Sequence, residues 1–126
     1  MKKKLMVLVV DDEEDVQWLF KQRFRKELRS GDIDLQFAFS GEQALNFLRG
    51  VLAADVMLIL SDINMPGMTG LELLKEVNEE FPQLPVHMIT AYGDETNYRT
   101  AMDYGADGYM TKPLDFEQLK SKVLEL

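Results

Sequence analysis

Met57-Leu58-Ile59-Leu60 is an unbroken run of large apolar side chains, the pattern of a strand covered on both faces. The run stops at Ser61-Asp62 and gives way to Ile63-Asn64-Met65-Pro66-Gly67-Met68-Thr69-Gly70, after which a helical pattern begins. A strand ending on a carboxylate and followed by a Pro-Gly loop places that carboxylate at the carboxyl edge of a sheet, where open α/β folds bind ligands. The rest of the chain is therefore read around Asp62.

The same alternation of strand and helix runs from one end to the other. Leu5 to Val10 reads as a first buried strand. From Asp11 to Leu28, Val16, Leu19, Phe20, Phe24 and Leu28 recur at helical spacing. Acidic residues crowd the start of that segment and Arg25, Lys26 and Arg29 its end, as the helix macrodipole prefers, and Ser30-Gly31 closes it. Ile33 to Phe39 alternates apolar and polar residues as a second strand. Ser40 with Gln43 resembles a capping box for a helix carrying Ala44, Leu45 and Leu48. Val56 to Ser61 is the third strand, and Gly70 to about Glu80 a helix with Leu71, Leu74 and Val77 on one stripe. Val86 to Thr90 is the fourth strand. Asp94 to about Tyr104 is a weak helix whose apolar positions are Tyr98, Ala101, Met102 and Tyr104. Gly108 to Thr111 is a short fifth strand, and Asp115 opens a last helix with Phe116, Leu119 and Val123 inward. The order βαβαβαβαβα predicts a parallel sheet with helices on both faces.

Composition narrows the function. The 126 residues suit a single domain with one sizeable core. Fourteen Lys and Arg against 22 Asp and Glu give a formal net charge of −8, which argues against sequence-independent nucleic-acid binding by this domain. Zero Cys excludes disulfides, thiolate metal sites and a Cys nucleophile; it suits a reducing cytoplasm. Lys2-Lys3-Lys4 before Leu5 faintly mimics a signal peptide, but the apolar run is short and meets Asp11-Asp12-Glu13-Glu14-Asp15. No run approaches the roughly 18–20 apolar residues of a membrane span.

Four strand ends carry polar residues that contribute nothing to a core: Asp11-Asp12, Asp62, Thr90 and Lys112. In a parallel sheet these ends share one edge. Three carboxylates, a hydroxyl and an ammonium thus converge on one crevice. Close carboxylates repel and raise one another's pKa unless a cation sits among them. A hard divalent cation with oxygen ligands, Mg²⁺ for preference, answers that charge, with Lys112 supplying more. An ionised Asp beside Mg²⁺, a lysine and a hydroxyl is suited to attack an activated phosphoryl group.

With Val9-Val10-Asp11-Asp12-Glu13, Asp62 followed by Met65-Pro66-Gly67 and Gly70, Thr90-Ala91, and Tyr109-Met110-Thr111-Lys112-Pro113, the sequence resembles the receiver domain of two-component response regulators, the CheY-like family. The resemblance covers nearly the whole chain as one domain, residues 1–126. It implies a flavodoxin-like, doubly wound (βα)5 fold with a five-stranded parallel sheet in the order 2-1-3-4-5. It implies Asp62 as phosphoacceptor, and Asp11, Asp12, Asp62 and the backbone carbonyl of Asn64 as Mg²⁺ ligands. Thr90 matches the hydroxyl that turns toward the phosphoryl group, Ala91 the small residue beside it, Lys112 the family lysine and Tyr109 the aromatic switch. Pro113 matches the position whose preceding peptide, from Lys112, is cis. Asn64 and Tyr92 match positions that tune the phosphoryl lifetime. The implied partners are a sensor histidine kinase or phosphotransfer protein and a downstream protein, for a cytoplasmic monomer or phosphorylation-dependent dimer that engages neither nucleic acid nor membrane by this domain.

Two other readings stand beside it. A Mg²⁺-dependent phosphohydrolase acting through an aspartyl phosphate typically needs a second Asp two residues after its nucleophile, and that position is Asn64 here. A receiver-like interaction module that takes no phosphate is opposed by the intact Asp11, Asp12, Asp62, Thr90 and Lys112 set. His87, the single histidine, reads as a core residue rather than a phosphocarrier. Trp18 is expected to pack at the edge of the first helix, where it could also report on the metal, and the Met residues at 57, 65, 68, 88, 102 and 110 to fill core and loops. The ending Val123-Leu124-Glu125-Leu126 fits either a stand-alone receiver that docks on partners or one followed by an output domain.

Overall fold

Each apolar run becomes a strand because helices cover it from both sides. The computed structural model describes residues 5–50, 56–91 and 95–124. Its strands are β1 (Leu5–Val10), β2 (Ile33–Ala38), β3 (Val56–Asp62), β4 (Val86–Thr90) and β5 (Gly108–Thr111). They form one sheet in the order β2-β1-β3-β4-β5, and every pairing is parallel. Strand order reverses between β1 and β3, the switch point at which such sheets open a crevice. The register there pairs Val10 with Ser61, so Asp11 and Asp62 are the next residues out on adjacent strands.

The helices are α1 (Glu14–Arg23), α2 (Arg25–Ser30), α3 (Gly41–Gly50), α4 (Gly70–Glu80), α5 (Glu95–Asp103) and α6 (Phe116–Leu124). Alternate residues of each strand face opposite sides, and the core divides accordingly. Leu8, Val10, Ile59 and Met88 pack with Leu45, Leu48, Leu73, Leu74 and Ala101 of α3, α4 and α5. Val7, Val9, Leu58, Leu60 and Ile89 pack with Phe20, Phe24, Phe116 and Leu119 of α1, its junction with α2, and α6. On that second side the rings of Phe20, Phe24 and Phe116 interlock with centroids 5.3 to 6.3 Å apart.

Four local expectations change. The continuous first helix divides at Phe24, whose ψ of 18° departs from helical geometry, although Phe24 N–H still donates to the Phe20 carbonyl and Leu28 N–H to the Phe24 carbonyl. Apolar spacing runs unchanged through the break, so periodicity is blind to it. In α4 the fully buried residues are Leu73, Leu74 and Val77, with Leu71 only partly covered. Trp18 is 62% exposed rather than packed: two residues from Phe20 on a helix is about 200° around its axis, so one faces out when the other faces in. Met102 is exposed as well. Tyr92, Asp94 and the terminal Glu125-Leu126 lie outside the described residues, as does the side chain of Met57.

Both helix starts beside the loops are tied by side chains. Ser40 Oγ accepts from the Gln43 amide, but Gln43 Oε1 accepts from the Phe39 amide, one residue earlier than a standard capping box. At α4, Thr69 Oγ1 accepts from the Glu72 amide at 3.2 Å and the Glu72 carboxylate accepts from the Thr69 amide, a full capping box. Thr69→Ala removes it, and the expected outcome is a loss of about 1 kcal/mol, read as a melting temperature lower by roughly 3–5 °C.

Candidate functional site

The chain leaves β1 at Asp11, whose N–H is still held by the Ala38 carbonyl at 3.0 Å. Its carboxylate is buried and accepts from the Glu13 amide at 2.9 Å and from Lys112 Nζ at 3.2 Å. Asp12 next to it is exposed. Asp62 closes β3, is 7% exposed, and accepts from the Ile63 amide at 3.0 Å. Lys112, following β5, reaches in from the far side of the sheet with Nζ 3.8 Å from Asp62 Oδ1. Its own amide donates to the Thr90 carbonyl at 2.8 Å, and the Lys112–Pro113 peptide is cis.

One carboxylate oxygen from each of Asp11, Asp12 and Asp62 lies within 4.8 Å of the other two. Three anionic oxygens facing one ammonium leave the rim short of positive charge. Asp62 feels this most: burial, then the Asp11 carboxylate, push its carboxyl from 3.8 up to about 6, with Lys112 and the Ile63 amide pulling the other way. Burial draws the Lys112 ammonium down, but Asp11 and Asp62 together outweigh it and the net shift is upward. A compact set of hard oxygen donors with surplus negative charge fits a divalent cation such as Mg²⁺, which binds through one or two carboxylates and keeps other positions for water or phosphate. Lys112→Met removes the one ammonium in contact with Asp62 among the described residues. The Asp62 carboxyl is then expected to titrate roughly one pH unit higher, measured by carbon NMR of the labelled carboxylate.

Thr90 is fully buried at the end of β4, opposite Thr111. Alternation puts Thr90, Met88 and Tyr109 on the same face of the sheet. Tyr109 is half-buried, and its ring meets that of Tyr98 on α5 edge-on at 5.2 Å. Asn64 and Ala91 are exposed at the rim. His87 is half-buried on β4 against Gly108; burial lowers its pKa, and Nδ1 has no hydrogen-bond partner among the described residues. A groove of about 470 Å³ lies beside Lys112, lined by Glu13, Val16, Leu19, Pro113, Leu114 and Phe116. Its walls come from two ends of the chain, so no local pattern could reveal it.

Fold and rim together define a flavodoxin-like α/β domain with an acidic edge whose carboxylates could hold a cation. The family described as response regulator receiver domain matches residues 7–124. The chain is 35% identical over 112 residues to the DNA-binding transcriptional regulator NtrC of Proteus hauseri, covering 89% of this chain and 22% of that protein. It is 34% identical over 118 residues to NtrC of Escherichia coli K12, covering 94% and 24%. The chain thus spans less than a quarter of the length of these relatives. Among solved structures, the Vibrio cholerae chemotaxis protein CheY4 superposes with a TM-score of 0.82 at 26% identity, covering 97% of this chain and 98% of that one. The Francisella response regulator 1452 receiver domain superposes at 0.81 and 30%, covering 97% and 95%. The chain belongs to the response regulator receiver domain family of two-component signalling.

Proposed function

We propose that residues 1–126 form one receiver domain that works as a phosphorylation-controlled switch, with Asp62 as the phosphoacceptor. The observation that carries this is the meeting of Asp11, Asp12 and Asp62 within one 4.8 Å set, with Lys112 bridging toward both buried carboxylates. The Asp62 carboxylate oxygen attacks the phosphorus of a phosphohistidine on a sensor kinase or phosphotransfer protein. The phosphorus–nitrogen bond breaks and the imidazole departs with the electron pair. Small donors such as acetyl phosphate serve in the same way. Asp11, Asp12, Asp62 and the Asn64 carbonyl would hold Mg²⁺, which would supply charge neutralisation for the phosphoryl oxygens. Lys112 pairs with the new dianion, and the Thr90 hydroxyl turns to donate to it.

Movement of Thr90 opens space on the sheet face that Tyr109 shares, and Tyr109 turns inward. Its edge-on contact with Tyr98 is lost, and the surface between α5 and β5 repacks for a different partner. The groove beside Lys112 gives an incoming phosphohistidine protein an apolar seat next to the acceptor. By analogy with relatives named as DNA-binding transcriptional regulators, the controlled output is transcription, exerted through another domain or protein. The domain itself acts in the cytoplasm as an acceptor and not as a turnover enzyme. Incubation with acetyl phosphate and Mg²⁺ is expected to add one phosphoryl group by intact-protein mass spectrometry. Addition of hydroxylamine is expected to remove it as from an acyl phosphate. No mass gain, or continuous hydrolysis of an unrelated phosphomonoester, would overturn the proposal.

A further inference from the structure

A cationic corner at the α1–α2 junction has no part in the acidic rim. Within a chain of net charge −8, Lys21, Arg23, Arg25, Lys26 and Arg29 all fall in residues 21–29. Two of them are engaged: Lys21 lies over the Phe37 ring and Arg23 over the Phe116 ring. Glu27, the one acid among them, is taken by Lys120 at 3.0 Å. Arg25, Lys26 and Arg29 remain; all are exposed, and none forms an ion pair among the described residues. With Ser30 they line a depression of about 530 Å³.

Folding gives little reason for this grouping. Arg29 suits the end of α2, as the macrodipole favours a cation there. Arg25 is four residues and Lys26 three residues from Arg29, spacings at which like charges on a helix repel. Three donor-only side chains around one depression are therefore held together against their own repulsion. α2 runs directly into the start of β2, so the corner sits at the end of the sheet opposite Asp62.

We propose that this corner docks an acidic segment of a partner protein. Arg25 and Arg29 act as carboxylate-binding forks, and Lys26 as a point charge. The acids that begin α1, Glu14 and Asp15, are roughly 15 Å away along the helix, at 1.5 Å per residue. That exceeds the screening length of about 8 Å at physiological salt, so a short segment in the depression does not feel them. A nucleic-acid duplex carries about one charge per 1.7 Å and would lay phosphates against those carboxylates. The net charge of the chain opposes it in the same sense.

The test is fluorescence anisotropy with a labelled oligoglutamate peptide, at low salt and at about 0.3 M salt. Wild type is expected to bind in a salt-sensitive manner, and Arg25→Glu with Arg29→Glu to weaken binding at least about tenfold. Lys75→Glu with Arg99→Glu changes net charge equally on other helices and is expected to stay within about twofold of wild type. Both double variants alter exposed residues, each loses little stability through a helix-end or i,i+4 charge, and both are expected to remain folded at the assay temperature. Absence of salt-sensitive binding overturns the proposal. Equal loss in the two double variants does so too, because it would make the effect one of net charge. Tighter binding of a DNA duplex of matched charge would assign the corner to nucleic acid instead.

Discussion

Asp62→Asn is expected to acquire no phosphoryl group from acetyl phosphate and Mg²⁺, and the wild type to acquire one, read by intact-protein mass spectrometry. The carboxamide oxygen carries no full charge and is a poor nucleophile, so the loss is complete rather than partial. A retained mass gain would move the acceptor to another side chain. The same substitution has an effect on stability of opposite sign. Burial and the Asp11 carboxylate push the Asp62 carboxyl up to about 6, above its ordinary 3.8. The folded state then holds that proton more tightly than the unfolded chain. The stability it lends is fully present below about pH 4 and is lost as pH rises through 6. A shift of this size corresponds to about 3 kcal/mol. Allowing for the amide's imperfect fit, Asp62→Asn is expected to stabilise the metal-free protein at pH 7.5 by about 1–2 kcal/mol, or roughly 4–8 °C in melting temperature. Thermal unfolding between pH 5 and 7.5 checks it: wild type loses stability across that range and the variant is flatter. Mg²⁺ should stabilise wild type and do little for the variant. Equal slopes in the two proteins would mean that Asp62 is not the strained carboxylate.

How much of this could be read from the residues depends on how each feature is encoded. A strand buried on both faces is apolar along its length, so Leu5–Val10 coincides with the observed β1. Val86–Thr90 and Gly108–Thr111 coincide as well, although His87 interrupts the former and the latter is a half-buried edge strand. Asp11, Asp62, Thr90 and Lys112 were legible as a group because each interrupts or follows an apolar strand at the same end, and parallel pairing leaves them one edge to share. Their distances were not legible. Lys112 stands nearer Asp11 than Asp62, 3.2 against 3.8 Å, although β5 lies closer to β3 than to β1 in the sheet, so strand order alone does not set these distances. Phe24 hid the division between α1 and α2 because backbone torsion can change while the side-chain stripe continues. Leu71 and Leu73 differ by 200° around α4, and the spacing of Leu74 and Val77 alone suits either. Thr69-x-x-Glu72 carries the capping-box spacing in its residues, a local signal that needs no tertiary contact to be read.

Gly70→Ala is expected to cost about 3 kcal/mol and to lower the melting temperature by roughly 10 °C, although Gly70 lies in a helix, where alanine is ordinarily the better residue. The reason is the join between β3 and α4. Gly70 N–H donates to the Ile63 carbonyl at 2.8 Å, which draws the first turn of α4 onto the end of the strand. A Cβ at Gly70 would stand 1.9 Å from the Asp62 carbonyl oxygen and 2.8 Å from the Asp62 carbonyl carbon and Ile63 Cα. These are backbone atoms, so no side chain can swing aside; either α4 lifts off or the end of β3 moves. The same displacement carries the Asp62 carboxylate away from Asp11 and Lys112. Metal affinity and phosphoryl uptake are therefore expected to fall in molecules that remain folded. Gly50→Ala is the matched control, since Gly50 also lies in a helix and has nothing within 4 Å of its added methyl; it is expected to leave the melting temperature unchanged or slightly higher. Equal behaviour of the two variants in thermal unfolding, or intact Mg²⁺ binding by Gly70→Ala in calorimetry, would show that close approach of α4 to β3 does not set the position of Asp62.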